Sequence, residues 1–412
     1  MKILMVDKYY FIKGGAERYF FELKDILEAK GHKVIPFSMR HPNNFESLYD
    51  KFFVDNIDFE LTSPFQKARA FPKIAGRMLY SFHAKKRLEK LLAAEKPDIA
   101  HLHMIDHQIS PSILHTLKKH GIPVIQTLHQ YKLVCPNYRL YNPLTNQICE
   151  KCLDGHFYHP IFERCHKDSR LAGALIAFES YAHRLSGMYD NHIDLLHTPS
   201  RFLGAKLKQA GVGDGKVRHL FYTLNLKKYP PHFGFQNYIV YFGRLAKEKG
   251  VLTLLKAMRK LKEVTLRIIG DGPERPALED FAAANQLTNV IFDGIKNGAE
   301  LAALIQNSKF VVIPSEWYDN SPLVIYESFA YGKPVIGTRL GGIPELIDHD
   351  QNGRLYHAGN HEELAESIDY LWNRPQLIIE FGHQARSKAE MEFEPEHHYQ
   401  KMYAWYNELL SN

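Results

Sequence analysis

The chain has 412 residues, 45% of them hydrophobic and 24% charged, with a net charge of +6. This is the balance of an ordinary globular protein, and the length exceeds one typical core, so two domains are expected. No apolar run approaches the ~20 residues of a spanning helix, and MKILMVDKYY lacks the apolar core and cleavage site of a signal peptide, so the expected location is the cytoplasm.

Lys2 to Val6 reads as a buried strand. A loop then leads to Gly14-Gly15-Ala16-Glu17 and a helix to Ala29, with a second strand from Lys33 to Phe37. Paired glycines let backbone approach a ligand where a Cβ would clash, although a tight turn explains them equally. The G-x-G-x-x-G pattern of NAD enzymes is absent.

Between Leu61 and Lys96 stand nine cations (Lys67, Arg69, Lys73, Arg77, Lys85, Lys86, Arg87, Lys90, Lys96) against Glu89 and Glu95. Interleaved with Phe65, Phe71, Met78, Leu79, Tyr80 and Phe82, they suit an anionic membrane surface or a solvated helix face. No nucleic-acid recognition motif accompanies them.

Strands are expected at 97–103 and 123–129, separated by a helix over 113–120. His129 falls at a strand's carboxyl end, where open parallel sheets place ligands, and reads as a functional or a structural histidine. The four cysteines follow: Cys135, Cys149, Cys152 and Cys165. A Cys-x-x-Cys flanked by two more thiols suggests structural zinc, with His156, His159 and His166 in reserve; the alternatives are unrelated reduced thiols, or disulfides, which a cytoplasmic location disfavours. A helix over 171–186, a strand ending at the cap Ser200, a helix over 201–210 and a strand over 217–224 come next. Asn225 to Gln236 reads as a linker.

A second alternating series starts at Tyr238. A strand over 239–242 opens into Gly243-Arg244-Leu245-Ala246-Lys247-Glu248-Lys249-Gly250, whose Arg244 and Lys249 can neutralise phosphate. Strands at 264–269 and 290–292 and helices at 251–260, 274–285 and 299–308 continue the alternation. Ile313 to Thr338 then reads as strand, polar loop, helix with Pro322 at its first position, turn and strand. It puts Asp319 and Glu327 at opposite ends of one element and leaves open N–H groups at the helix start. Helices fill 361–372 and 376–390, and 395–410 is an amphipathic helix.

Taken together, GGAE (14–17), TLH (127–129), TPS (198–200), GRLAKEKG (243–250), IIGDGPE (268–274), VIFDG (290–294) and ESFAYGKPVIGT (327–338) resemble retaining glycosyltransferase family 4, in the family's order across nearly the whole chain. The resemblance implies the GT-B fold: two Rossmann-like parallel-sheet domains facing across an inter-domain cleft. The expected divisions are an acceptor-side domain 1–224 with a Cys-bearing insert at 135–165, a linker 225–236, and a donor domain 237–394. The helix 395–412 would return to the first domain.

The implied roles are specific. Gly14 and Gly15 would approach the donor diphosphate, Arg244 and Lys249 would stabilise the leaving group, and Glu327 would bind the ribose. Asp319 stands where the family usually has Glu, contacting sugar hydroxyls, with Glu316 as the alternative carboxylate. N–H groups around Asn320, Ser321, Leu323 and Val324 would cradle phosphate, and His129 would lie by the reacting carbon. No catalytic metal is expected. The implied partners are a nucleotide sugar, UDP before GDP, and a saccharide or lipid-linked acceptor at the inner face of the plasma membrane. A nucleotide-sugar 2-epimerase, a sugar-phosphate synthase and a non-enzymatic binding protein are the alternatives.

Overall fold

A computed structural model of the chain describes residues 1–57 and 74–411. It separates into two compact units: 1–139 with 150–223 and 396–412, and 140–149 with 224–395. The hairpin-bearing segment Leu140–Cys149 is thus grouped with the second unit, not with the insert around it.

Among the described residues, unit 1 holds a six-stranded sheet. Its strands are β1 (Lys2–Val6), β2 (Lys33–Phe37), β3 (Ile99–Leu102), β4 (Val124–Thr127), β7 (Leu195–Thr198) and β8 (Val217–His219). All pairings are parallel, in the order β2-β1-β3-β4-β7-β8. Four of these strands are short and apolar because both faces are covered, as in crossover sheets generally. The order reverses direction between β1 and β3, and a ligand crevice is expected outside the carboxyl ends there. The loops leaving those two strands carry Gly14-Gly15 and His103.

The antiparallel pair β5 (Tyr141–Asn142) and β6 (Gln147–Ile148) belongs to unit 2. The main sheet of unit 2 is again six-stranded and parallel: β9 (Ile239–Phe242), β10 (Leu266–Ile269), β11 (Val290–Gly294), β12 (Val311–Ile313), β13 (Val335–Thr338) and β14 (Gly353–Tyr356). Its order, β11-β10-β9-β12-β13-β14, reverses between β9 and β12. One core cluster spans the strands and the helices on them, with Tyr241, Leu254, Ile268, Phe310, Tyr356 and Phe381 all buried.

Asn225–Gln236, expected as a linker, is held to unit 2. Leu226–Lys228 forms one 3₁₀ turn under the Asn225 cap, and Phe233 stacks on His383 with ring centroids 3.8 Å apart. Lys333 donates to the Gly234 carbonyl at 2.8 Å. The helix 323–330 begins at Leu323, with Pro322 as its cap residue at ψ 114°, not as its first helical residue. The following Gly332 takes φ +73°, a left-handed stop.

The final helix, Pro395–Ser411, contributes residues 396–411 to unit 1, where it buries His398, Tyr399, Met402, Trp405 and Tyr406. Of the basic stretch, Lys67, Arg69 and Lys73 lie outside the described residues, as do Phe65 and Phe71. Arg77 is not a surface cation. It is 7% exposed and donates to the carbonyls of Asp55 and Gln108. Among the described residues, no helix is long and apolar enough to cross a membrane.

Candidate functional site

In unit 2 the loops at the carboxyl ends of β9, β10, β12 and β13 close on one another, and glycines make that possible. Gly250 has φ +66°, and a Cβ there would lie 1.9 Å from the Pro314 carbonyl oxygen. The 3₁₀ turn Lys247–Lys249 therefore rests on the end of β12, fixed by the Glu316 N–H donating to the Glu248 carbonyl at 2.9 Å. On the other side Gly272 passes the Leu245 carbonyl where a Cβ would lie 2.2 Å away, and Leu245 N–H bonds Asp271 O at 2.9 Å.

This packing places two cations on one loop. Lys249 Nζ sits between both oxygens of Asp319, at 2.8 and 3.0 Å, and over the Trp317 ring at 5.2 Å. Ser315 Oγ donates to Asp319 Oδ2. Asp319 itself is 6% exposed, and its carbonyl accepts from Gly342 N–H at 2.8 Å. Arg244 is exposed, and its guanidinium has no partner among the described residues. Tyr241 Oη donates to the Arg244 carbonyl at 2.8 Å, which steadies the backbone and leaves the side chain open. One fixed ammonium and one unpaired guanidinium suit a polyphosphate.

The remaining expected residues of this unit lie on the same loop and helix. Asn320 and Ser321 are buried, and Ser321 Oγ and Tyr326 Oη are 2.6 Å apart. Leu323 and Val324 open the helix, whose cap gives no side-chain hydrogen bond. Glu327 is buried in its second turn, at 6% exposure.

In unit 1, Gly14 and Gly15 are exposed at the start of the first helix, Gly15–Ala29. Gly14 takes extended backbone at φ −164°, and a Cβ would only touch Glu17 Oε2 at 3.6 Å. Neither conformation nor packing among the described residues therefore demands glycine there. Beneath it, Asp7 and Glu17 are buried carboxyls. Burial, then Glu17's charge, raises Asp7 well above the usual range, and burial raises Glu17.

His129 belongs to a buried histidine network. Its Nδ1 lies 2.6 Å from Tyr222 Oη and its Nε2 lies 3.0 Å from His103 Nδ1, so both ring nitrogens are engaged. Burial, reinforced by His197, brings His129 down to about 3. A second chain can be assigned proton by proton from its end. The Leu220 carbonyl can only accept, so His197 Nε2–H donates at 2.7 Å. His197 Nδ1 then accepts from Thr127 Oγ1, which accepts from His101 Nε2–H. His101 Nδ1 is left to accept from Tyr406 Oη at 2.6 Å. This assignment holds with both rings neutral, the form that burial favours by lowering His101 and His197.

His129 also lines a small polar pocket with His103, Asp106, Gln126, Gln130 and Lys132 among others. Two buried atoms of its lining, His103 Nε2 and Gln126 Oε1, have no partner among the described residues. Neither residue stood out in the sequence; His103 was legible only as a strand end.

The expected thiolate set is not assembled. Among the described residues, no group of three or more His, Cys, Asp or Glu side chains is arranged to hold a metal ion. Instead Cys135 Sγ donates to Asn137 Oδ1 at 3.0 Å, and none of the four cysteines is joined in a disulfide.

A family model described as Glycosyltransferase Family 4 matches residues 13–221, half of the chain, and one described as Glycosyl transferases group 1 matches 225–388. The chain belongs to glycosyltransferase family 4. An uncharacterized glycosyltransferase of Methanocaldococcus jannaschii is 32% identical over 149 residues, 36% of this family 4 chain and 42% of that protein. The chain spans less than half the length of the first curated relatives it matches. Among solved structures, sucrose-phosphate synthase from Thermosynechococcus elongatus superposes with a TM-score of 0.73 at 19% identity, covering 100% of this chain and 99% of that one. Anabaena HepE in complex with UDP and glucose gives 0.68 at 17% identity, covering 99% and 100%. These likenesses bear out the GT-B class for this family 4 chain, with its two parallel-sheet Rossmann-like domains.

Proposed function

We propose that the chain is a retaining glycosyltransferase. It moves a sugar from a nucleotide sugar, a UDP-sugar before a GDP-sugar, to a saccharide or lipid-linked saccharide in cell-surface polysaccharide assembly. The observation that carries this reading is the pairing of a clamped Lys249 with an unpartnered Arg244 on one glycine-bounded loop. In this role the two cations bind the diphosphate and meet the charge that grows on it as the glycosidic bond breaks. Fixed charges cost no reorganisation at that moment. The open helix start at Leu323 and Val324, with Asn320 and Ser321, adds N–H donors to the phosphates. Glu327 takes the ribose hydroxyls.

In unit 1 we assign Gly14-Gly15 to ligand contact, and His129 to ligand contact by exchange of its Tyr222 or His103 hydrogen bond for one to the sugar. The exposed Gly14, which no neighbour among the described residues requires, supports the first. The HepE complex with UDP and glucose favours uridine as the base. Attack on the face that the leaving phosphate departs from gives retention, with that phosphate taking the acceptor proton. No metal is assigned to the diphosphate. Lys86 and Lys90, exposed on the helix Phe82–Glu95, support a peripheral contact with an anionic inner membrane face.

A panel of UDP- and GDP-sugars tests this reading by nucleotide release and by the anomeric configuration of the product. Turnover of one UDP-sugar with a retained anomer is expected, and Glu327→Gln raises the donor KM about tenfold through one lost charged hydrogen bond. An inverted anomer, or no stabilisation of the protein by any nucleotide, rejects it.

A further inference from the structure

Trp317 stands in the loop 314–322, between β12 and the helix Leu323–Ala330. It is half-buried, and its carbonyl accepts from Asp319 N–H at 2.9 Å, a tight turn that keeps the indole close to the Asp319 ion pair. The Lys249 ammonium lies over the indole ring, 5.2 Å from its centroid, while the two Asp319 oxygens hold the same ammonium at 2.8 and 3.0 Å. Within about 6 Å an ammonium is drawn to the negative face of an aromatic ring. Lys249 therefore has two holders, a carboxylate and a π face.

The residue type is informative. Trp317 Nε1–H is buried and meets no acceptor among the described residues. A buried donor left unmet lowers stability, and phenylalanine would fill the loop without one. Tryptophan is, however, the ring that attracts a cation most strongly. Among the described residues its side chain makes no hydrogen bond and stacks on no other ring, so the ammonium is its one directed contact. The neutrality of this second holder also matters. A flexible four-carbon stem lets an ammonium swing around one carboxylate. A second carboxylate would stop that motion, but it would cancel the cation and repel a diphosphate. A π face restrains the ammonium and adds no net charge. The Lys249 side chain is 26% exposed, so the restrained cation keeps an open side for an anion.

We propose that Trp317 is a positioning residue for Lys249: its ring face holds the ammonium where the diphosphate of a nucleotide sugar meets it. This rests on the reading of the loop bearing Arg244 and Lys249 as the diphosphate site.

UDP alone is the probe, with its Kd measured by calorimetry and thermal unfolding followed on the same preparations of the full chain. Trp317→Leu weakens UDP binding by about fivefold, as loss of one partly exposed cation–π contact does, and Trp317→Phe restores most of it, to within about twofold of wild type. Trp317→Phe melts at or above the wild-type temperature, because it removes the unmet N–H. A packing role alone would move affinity and stability in the same direction. Because Trp317 acts through Lys249, Trp317→Leu weakens UDP no further in a Lys249→Met background. UDP affinity unchanged in Trp317→Leu overturns the proposal and leaves the diphosphate site in place. Additive losses in the double variant also overturn it, by giving Trp317 a nucleotide contact of its own. A wild type that binds neither UDP nor GDP removes the diphosphate reading, and the positioning role with it.

Discussion

Lys249 and Asp319, 70 residues apart, form a bidentate ion pair in which the carboxylate is buried and the ammonium is about one quarter exposed. Asp319 is also held by Ser315 Oγ, so neither of its oxygens is idle. The side chain expected to contact a donor sugar also fixes the direction of a cation. Lys249→Ala consequently does two things. It removes a charge from the phosphate site, and it leaves Asp319 buried without its partner, a loss of about 1–3 kcal/mol once the lysine's exposure is allowed for. In a double-mutant cycle with Asp319→Ala, urea unfolding should show a coupling of roughly 0.5–3 kcal/mol. Strict additivity would separate the two residues.

Gly250 offers a purely conformational handle on the same loop. Its φ is left-handed, and the Pro314 carbonyl oxygen lies 1.9 Å from where a Cβ would stand, so alanine fits neither the backbone nor the space. Gly250→Ala should lower stability by more than about 1 kcal/mol and cut donor turnover together with it. An alanine variant with wild-type melting and turnover would show that the loop does not rest on β12 as described.

Acid should destabilise unit 1 early. His101 and His103 sit well below their usual value, His129 and His398 near 3 and His197 near 4, in each case first because they are buried. The unfolded chain protonates these rings near pH 6.5, and the folded one does not. Stability is therefore complete above about pH 6.5 and falls as pH drops through the window toward 3–4. Each ring contributes about 1.4 kcal/mol per pH unit once the unfolded form is charged. Asp7 and Glu17, with raised values, work the other way, two groups against five. The urea midpoint should fall measurably between pH 7 and pH 5; equal midpoints would mean that the histidines are not neutral in the fold.

The cysteines give a compositional test. With Cys135 bonded to Asn137 and no metal-holding group among the described residues, gently purified protein should carry well under one zinc per chain. Stoichiometric zinc lost on Cys152→Ser would restore the four-thiolate set suggested by the Cys-x-x-Cys spacing.

Much of the fold was legible because buried parallel strands announce themselves as short apolar runs. Lys2–Val6 and Lys33–Phe37 fall where the pattern put them, as does Ile239–Phe242. The loop bearing Arg244 and Lys249 was legible from its bounding glycines, which packing does require at Gly250. What stayed hidden depends on contacts between distant positions. Asp319 reads as a free carboxylate until Lys249 arrives beside it. Arg77 reads as a surface cation because nothing local reveals the carbonyls of Asp55 and Gln108 that bury it. The histidine network joins residues from β3, β4, β7 and the last helix, and no local pattern links them. The cap at Pro322 differs by one residue, since proline is compatible with either position.

Arg244→Ala tests the central claim most directly, because Arg244 is exposed and unpartnered and its loss should leave stability within about 0.5 kcal/mol. Turnover of the preferred nucleotide sugar, measured beside thermal unfolding of the same preparation, should fall by about 10² or more while the melting curve stays in place. Wild-type turnover in Arg244→Ala would contradict the assignment of this loop to the diphosphate.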